Sequence, residues 1–126
     1  MKEGEELSLM DKYQHLFSTN FWGFEVPTGW DWIVEKYLEK TQWDVVHNGL
    51  EMKIIQIKEK FGELRIYTDV ESHNDYLDSE NIAYCSALAD HTCEDCGVMT
   101  KAKIYTSGWI RGLCSKCFEE RKNEAT

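Results

Sequence analysis

Two Cys-x-x-Cys pairs seventeen residues apart, two β-rich runs around Glu59-Lys60-Phe61-Gly62, and apolar residues at helical spacing on either side predict an α+β fold. The expected architecture is a small helix–β-hairpin–helix body followed by a C-terminal, treble-clef-like four-cysteine module. The boundary falls near residue 90: an acidic body over 1–90 and a metal-binding module over 91–126, packed on the body. At 126 residues, 42% of them hydrophobic, the chain has enough apolar area for one real core.

The elements follow in order. Leu9, Tyr13, Leu16 and Phe17 give residues 7–17 a helical stripe. Asn20-Phe21-Trp22-Gly23-Phe24-Glu25-Val26-Pro27 is dense in aromatics and broken by Gly and Pro, which predicts a loop or irregular strand. Thr28-Gly29-Trp30-Asp31 reads as a variant capping box opening a helix over 30–40, with Trp30, Ile33, Val34, Tyr37 and Leu38 as its apolar face. Leu50, Met52 and Ile54 alternate, and after a shift Ile55 and Ile57 continue. Leu64, Ile66, Tyr67 and Val70 answer them, so the two runs read as an antiparallel hairpin. Ser72-His73-Asn74-Asp75 offers an N-cap for a helix through Leu77, Ile82, Tyr84 and Leu88.

The last third has its own grammar. Gly97 after Cys96 suits a knuckle that turns through positive φ. Residues 98–105 predict a strand, Thr106-Ser107-Gly108 a turn, and 109–113 a return strand. Cys114 and Cys117 then fall in the first turn of a terminal helix. Knuckle, hairpin and helix carrying the last ligand pair is the order of a treble clef.

Cys93, Cys96, Cys114 and Cys117 are the candidate metal ligands. Two short bites aim four soft donors at one point, which points to a single structural Zn2+. Disulfides need an oxidising compartment, and Met1-Lys2-Glu3-Gly4-Glu5-Glu6 lacks the apolar core of an export signal, so a cytoplasmic setting is expected. A redox dithiol at Cys114 and Cys117 lacks room for the βαβ framework such enzymes build. Cys85 reads as a small packed residue and His91 as a surface or capping group.

Charge and motifs then bound the function. The net charge is −9, with 8 Lys or Arg against 20 Asp or Glu over residues 1–96 and 6 against 3 over 97–126. An acidic body opposes phosphate contact, while the tail end is mildly basic. No apolar run approaches the roughly 20 residues that span a bilayer. Between Cys96 and Cys117 there is no histidine, and no nucleophile elbow, phosphate-binding glycine loop or spaced carboxylate pair occurs, so catalysis is not expected.

One motif set carries a resemblance. Gln56-Ile57-Lys58-Glu59-Lys60-Phe61-Gly62-Glu63-Leu64-Arg65-Ile66-Tyr67, Cys93-Glu94-Asp95-Cys96-Gly97, Gly108-Trp109 and Leu113-Cys114-Ser115-Lys116-Cys117 resemble a family of small bacterial and phage zinc-finger proteins. The resemblance covers roughly residues 26–120. It implies a prokaryotic or phage origin and brings no established activity with it.

Two non-enzymatic readings follow. In the first, the protein binds another protein as an inhibitor or adaptor, its acidic surface steering it to a basic partner; in a phage setting the target is a host defence or nucleic-acid-processing component. Trp22, Phe24, Trp30 and Trp32 are its candidate anchors, with Phe61 and Arg65 behind them, although most of the five tryptophans are expected in the core. In the alternative, Lys101, Lys103, Arg111 and Arg121 grip a nucleic-acid backbone while Tyr105 and Trp109 stack on bases. Against it, Trp109 is expected to pack on the knuckle and the lysines to be merely solvated.

Overall fold

The computed structural model describes residues 1–71 and 75–124. The chain runs α1 (Glu3–Lys12), β1 (Phe24–Glu25), α2 (Asp31–His47), β2 (Met52–Lys60), β3 (Glu63–Val70), α3 (Asp75–Asp90), β4 (Ile104–Tyr105), β5 (Gly112–Leu113) and α4 (Ser115–Glu124). This is the expected α+β architecture. Strands β1, β2 and β3 form one sheet in that order, and β4 pairs with β5 in a second. Among the described residues no helix is long and apolar enough to cross a membrane. The Ser72–Asn74 part of the expected cap lies outside the described residues.

The hairpin forms where the alternation places it, with Lys60 opposite Glu63 across the two-residue turn Phe61-Gly62. Both turn residues have positive φ, 54° and 81°, as a right-twisted two-residue hairpin requires. Glycine adopts this freely; phenylalanine pays roughly 1–2 kcal/mol for it. The shift in the alternation is a β-bulge: Ile54 faces Thr68 and Gln56 faces Tyr67, leaving Ile55 unpaired with β3. Its carbonyl accepts instead from the Trp22 N–H at 2.8 Å, and Ile54 O accepts from Ser18 N–H at 2.9 Å. The bulge thus lets the aromatic segment run along the sheet edge, and β1 continues it parallel to β2, Phe24 beside Ile57.

Phe17, Phe21 and Phe24 pack as a triad with ring centroids 4.6–5.6 Å apart. Phe24 is therefore core, and its assignment as a partner anchor is corrected. Phe24 turns into the core, while Trp22, two residues earlier, faces solvent because Gly23, at φ 102°, breaks the alternation between them.

Helix α2 extends a further two turns beyond the expected 30–40. Its entry is a 3₁₀ turn, Thr28–Trp30, without a side-chain cap. Its extension buries Thr41 and Asp44, polar residues that an apolar pattern does not reveal. The same holds for α3, which buries Asp78, Asn81, Cys85 and Ala89 against the core. Of the stripe expected there, Leu77, Ile82 and Leu88 pack at its margin and Tyr84 is exposed.

These polar groups close on one another. Asp78 accepts from Tyr37 Oη at 3.0 Å and from Thr68 Oγ1 at 2.6 Å, tying α2, β3 and α3 together. Asp44 accepts from Asn81 Nδ2 at 2.8 Å and Asn48 Nδ2 at 2.6 Å. Burial, then the Asp78 charge, pushes the Tyr37 phenol well above its ordinary range, so it stays a donor.

Asp78→Ala leaves the buried Tyr37 hydroxyl and the half-buried Thr68 hydroxyl without their acceptor and should cost about 3 kcal/mol, read by urea unfolding; Asp78→Asn should cost less. Cys85 supplies a pH test. Burial pushes its thiol from 9.0 up to about 11. Between those values the folded chain keeps a proton that the unfolded chain loses, so stability falls as pH rises across the window. The advantage of the natural chain over Cys85→Ala should therefore shrink from pH 9 to pH 11.

Candidate metal centre

The module is built from the end of α3 outward. Thr92 Oγ1 donates back to Leu88 O at 2.7 Å, closing the helix and delivering Cys93. The Gly97 N–H returns to Cys93 O at 3.0 Å with Gly97 at φ 80°, forming the knuckle. The hairpin that follows is shorter than the expected strands: only Ile104–Tyr105 and Gly112–Leu113 pair, and Thr92 meets Met99 as a single bridge. Strand β5 runs straight into Cys114, and the Cys117 N–H reaches Cys114 Sγ at 3.5 Å in the first turn of α4.

This route brings four sulfurs together. Those of Cys93, Cys96, Cys114 and Cys117 all lie within 4.8 Å of one another, and Cys96 to Cys114 is 3.8 Å. A tetrahedral centre with metal–sulfur bonds of about 2.3 Å requires sulfur–sulfur edges of about 3.8 Å. The donor set thus fits a metal site, with Cys96 exposed and the other three buried.

The electrostatics agree. Burial opposes ionisation of Cys93, but backbone N–H groups around the knuckle outweigh it and bring that thiol down to about 7. Burial, then the neighbouring sulfurs, pushes Cys117 far up. One thiolate therefore forms readily and opposes the rest; a dication is what lets four ionise together.

The surrounding residues fix the knuckle on the body. Gly29 N–H donates to Glu94 O at 2.9 Å, and Trp30 Nε1 donates to Thr92 O at 3.1 Å. A Cβ on Gly29 would stand 2.3 Å from Cys93 O and 2.6 Å from Glu94 C, both backbone atoms that cannot give way. Glu94 is wholly buried; its Oε2 accepts from the Gly112 N–H, its Oε1 has no hydrogen-bond partner among the described residues, and burial pushes its carboxyl upward. Arg121 grips Asp95 with two bonds of 2.6 and 2.8 Å, pinning α4 to the knuckle and holding the Asp95 carboxyl below its ordinary value.

The candidate nucleic-acid contacts divide. Lys103 is half-buried: Nζ donates to Ala89 O at 2.8 Å at the end of α3 and lies 5.3 Å over the Trp30 ring. With Arg121 bound to Asp95, two of the expected backbone-gripping cations serve the fold, a correction to that reading. Lys101 and Tyr105 are exposed and Arg111 is half-buried. Trp109 is 80% exposed, so its expected packing on the knuckle is also corrected.

Of the candidate anchors, Trp22 is 74% and Trp32 38% exposed, whereas Trp30 is buried. Trp43, on the stretch of α2 beyond the expected helix, is 60% exposed and stacks on His47 at 3.8 Å. Four of the five tryptophans thus reach solvent, against an expectation of one or two. Glu94 and Gly29 are the residues that sequence reasoning missed. A glutamate inside a Cys-x-x-Cys turn reads as solvated, and a long-range backbone approach leaves no local signal.

Gly29→Ala should lower stability by about 3 kcal/mol and weaken metal retention together, because the added methyl pushes the knuckle off the body. Unfolding followed by circular dichroism with a metal titration checks this. Gly4→Ala, with open space around it, should be neutral or stabilising.

In comparisons with protein-family models, curated proteins and solved structures, nothing matches this chain.

Proposed function

We propose that the four cysteines hold one structural Zn2+ and that the chain works without catalysis, through protein–protein contacts, as an inhibitor or adaptor. Four thiolates in a tetrahedral cluster favour a soft, geometrically undemanding dication, which is zinc before the harder divalent ions. Four sulfurs complete that coordination and leave no position for a water, so the centre organises structure.

The observation that carries the contact reading is the exposure of Trp22, Trp32, Trp43 and Trp109 on a chain of 126 residues. Aromatics of this size dominate protein interfaces, and their display in water costs solubility unless a partner covers them. The charge favours a protein with a basic surface: residues 1–96 carry a net −12, and Lys103 and Arg121 are engaged internally. Nucleic acid is the weaker reading for the same reason. A cytoplasmic, bacterial or phage setting belongs to this proposal, and the motif resemblance supports its bacterial or phage part.

Elemental analysis should find about one zinc per chain. Cys96→Ser, which changes an exposed position and leaves the core packed, should lose that metal and unfold the last third; unchanged metal and folding would sink the zinc assignment. A tagged pull-down from bacterial lysate, with and without nuclease, tests the rest. A protein partner that survives nuclease and is released by salt supports the reading; partners that vanish with nuclease reverse it.

A further inference from the structure

We propose that the groove between β1, the β2–β3 turn and the loop 108–111 binds an acidic peptide segment carrying one large apolar anchor. It goes beyond the acidic-body contact proposed above: it takes Trp109, one of the exposed tryptophans, as part of a groove whose unpaired charges have the opposite sign.

The groove encloses about 620 Å³ and is lined by Val26, Pro27, Phe61, Trp109 and Ile110 among others. Phe61 is 70% exposed and Trp109 is exposed further still. Phe61 also holds the left-handed φ of 54° that favours glycine or asparagine. A bulky residue in that conformation that packs on little of its own fold is explained by what it meets outside.

The charges choose the occupant. Of the two carboxylates lining the groove, Glu25 is offset by Lys58 at 4.0 Å, and Glu59 keeps its charge while its Oε1 accepts from the Gly62 N–H at 2.7 Å; Lys58, Lys60 and Arg111 still outnumber them. Lys60 and Arg111 line the same groove and make no close ion pair among the described residues; Lys60 lies 5.7 Å over the Phe61 ring, and Arg111 acts on the Glu94 and Asp95 carboxyls only at longer range. Two cations outside any close ion pair, beside exposed aromatics, match an acidic segment with an apolar side chain. Two are too few for a run of phosphates on a chain of net charge −9.

The mode of recognition is also restricted. On the outward edge of β1, the Phe24 N–H is taken by Glu6 Oε1 at 3.4 Å and Val26 O by the Met1 amino group. A peptide cannot add here as a further strand through those two groups. It is read through side chains: an anchor against Phe61 and Trp109, acids toward Lys60 and Arg111.

Fluorescence anisotropy with the metal-loaded full chain tests this with four labelled probes. They are a short Asp/Glu peptide with one central Trp, the same peptide with Lys for each acid, the acidic peptide with Ala for Trp, and an oligothymidylate. The acidic Trp peptide should bind at least about tenfold more tightly than the other three. Trp109→Ala and Arg111→Glu should each weaken it by about tenfold, with circular dichroism unchanged, and Lys40→Glu on α2 should leave it unaltered. No binding of the acidic Trp peptide, equal binding of the lysine peptide, tighter binding of the oligothymidylate, or indifference to both groove variants overturns the proposal.

Discussion

The last third of the chain has almost no hydrophobic core, and that shortage sets the terms for the rest of the structure. Its buried cluster consists of Cys93, Leu113, Cys114 and Cys117, with Phe118 partly covering it. Three of those four are candidate ligands, so the module's apolar centre and its metal site are the same object. Around it, Val98, Met99, Ile104, Tyr105, Trp109 and Ile110 all stand in solvent. Burial on this scale cannot offset the entropy of ordering some thirty residues at roughly 1–2 kcal/mol each. Cross-linking by an ion bound to four thiolates can, because its binding free energy becomes folding free energy.

The body supports the centre from the other side. Gly29 lies against the knuckle backbone so closely that any side chain would collide, and Trp30 is anchored by Thr92 while Lys103 covers its ring. A cation over indole, also bonded to the Ala89 carbonyl at the end of α3, joins three elements in one contact. At the far end, Gly62 of the body's hairpin meets the Tyr105 ring of the module's hairpin, where an added Cβ would stand 2.9 Å from it. The two halves therefore touch at the knuckle and again at the hairpin tips, with the groove beside the second contact.

What was legible in the sequence was what local chemistry encodes. The Cys-x-x-Cys spacing located the metal cluster because two residues between cysteines fix a turn. The hairpin was legible from alternation, and the break at Ile55 even marked the bulge. Helix α2 was read too short because Thr41 and Asp44 are polar, and the burial of Asp44 depends on a partner across the core, Asn81. Phe24 and Lys103 were misplaced for a related reason. Their surroundings come from residues distant in sequence, Phe17 and Phe21 in one case, Ala89 and Trp30 in the other. The exposed tryptophans break the rule that large aromatics fill cores, and such departures concentrate at surfaces with a role.

Phe61 and Trp109 come from opposite halves of the molecule, and this links the groove to the metal. Phe61 is fixed by the body's own hairpin. Trp109 sits on a loop whose position follows from β4 and β5, which follow in turn from the cysteine cluster and from Glu94 bonding the Gly112 N–H. A ligand touching both aromatics binds only the arrangement in which the module is formed. By linkage it stabilises that arrangement, and the ion that forms the module raises affinity for the ligand by the same factor. A bound metal, although it lies inside the module, would then decide whether the proposed binding surface exists.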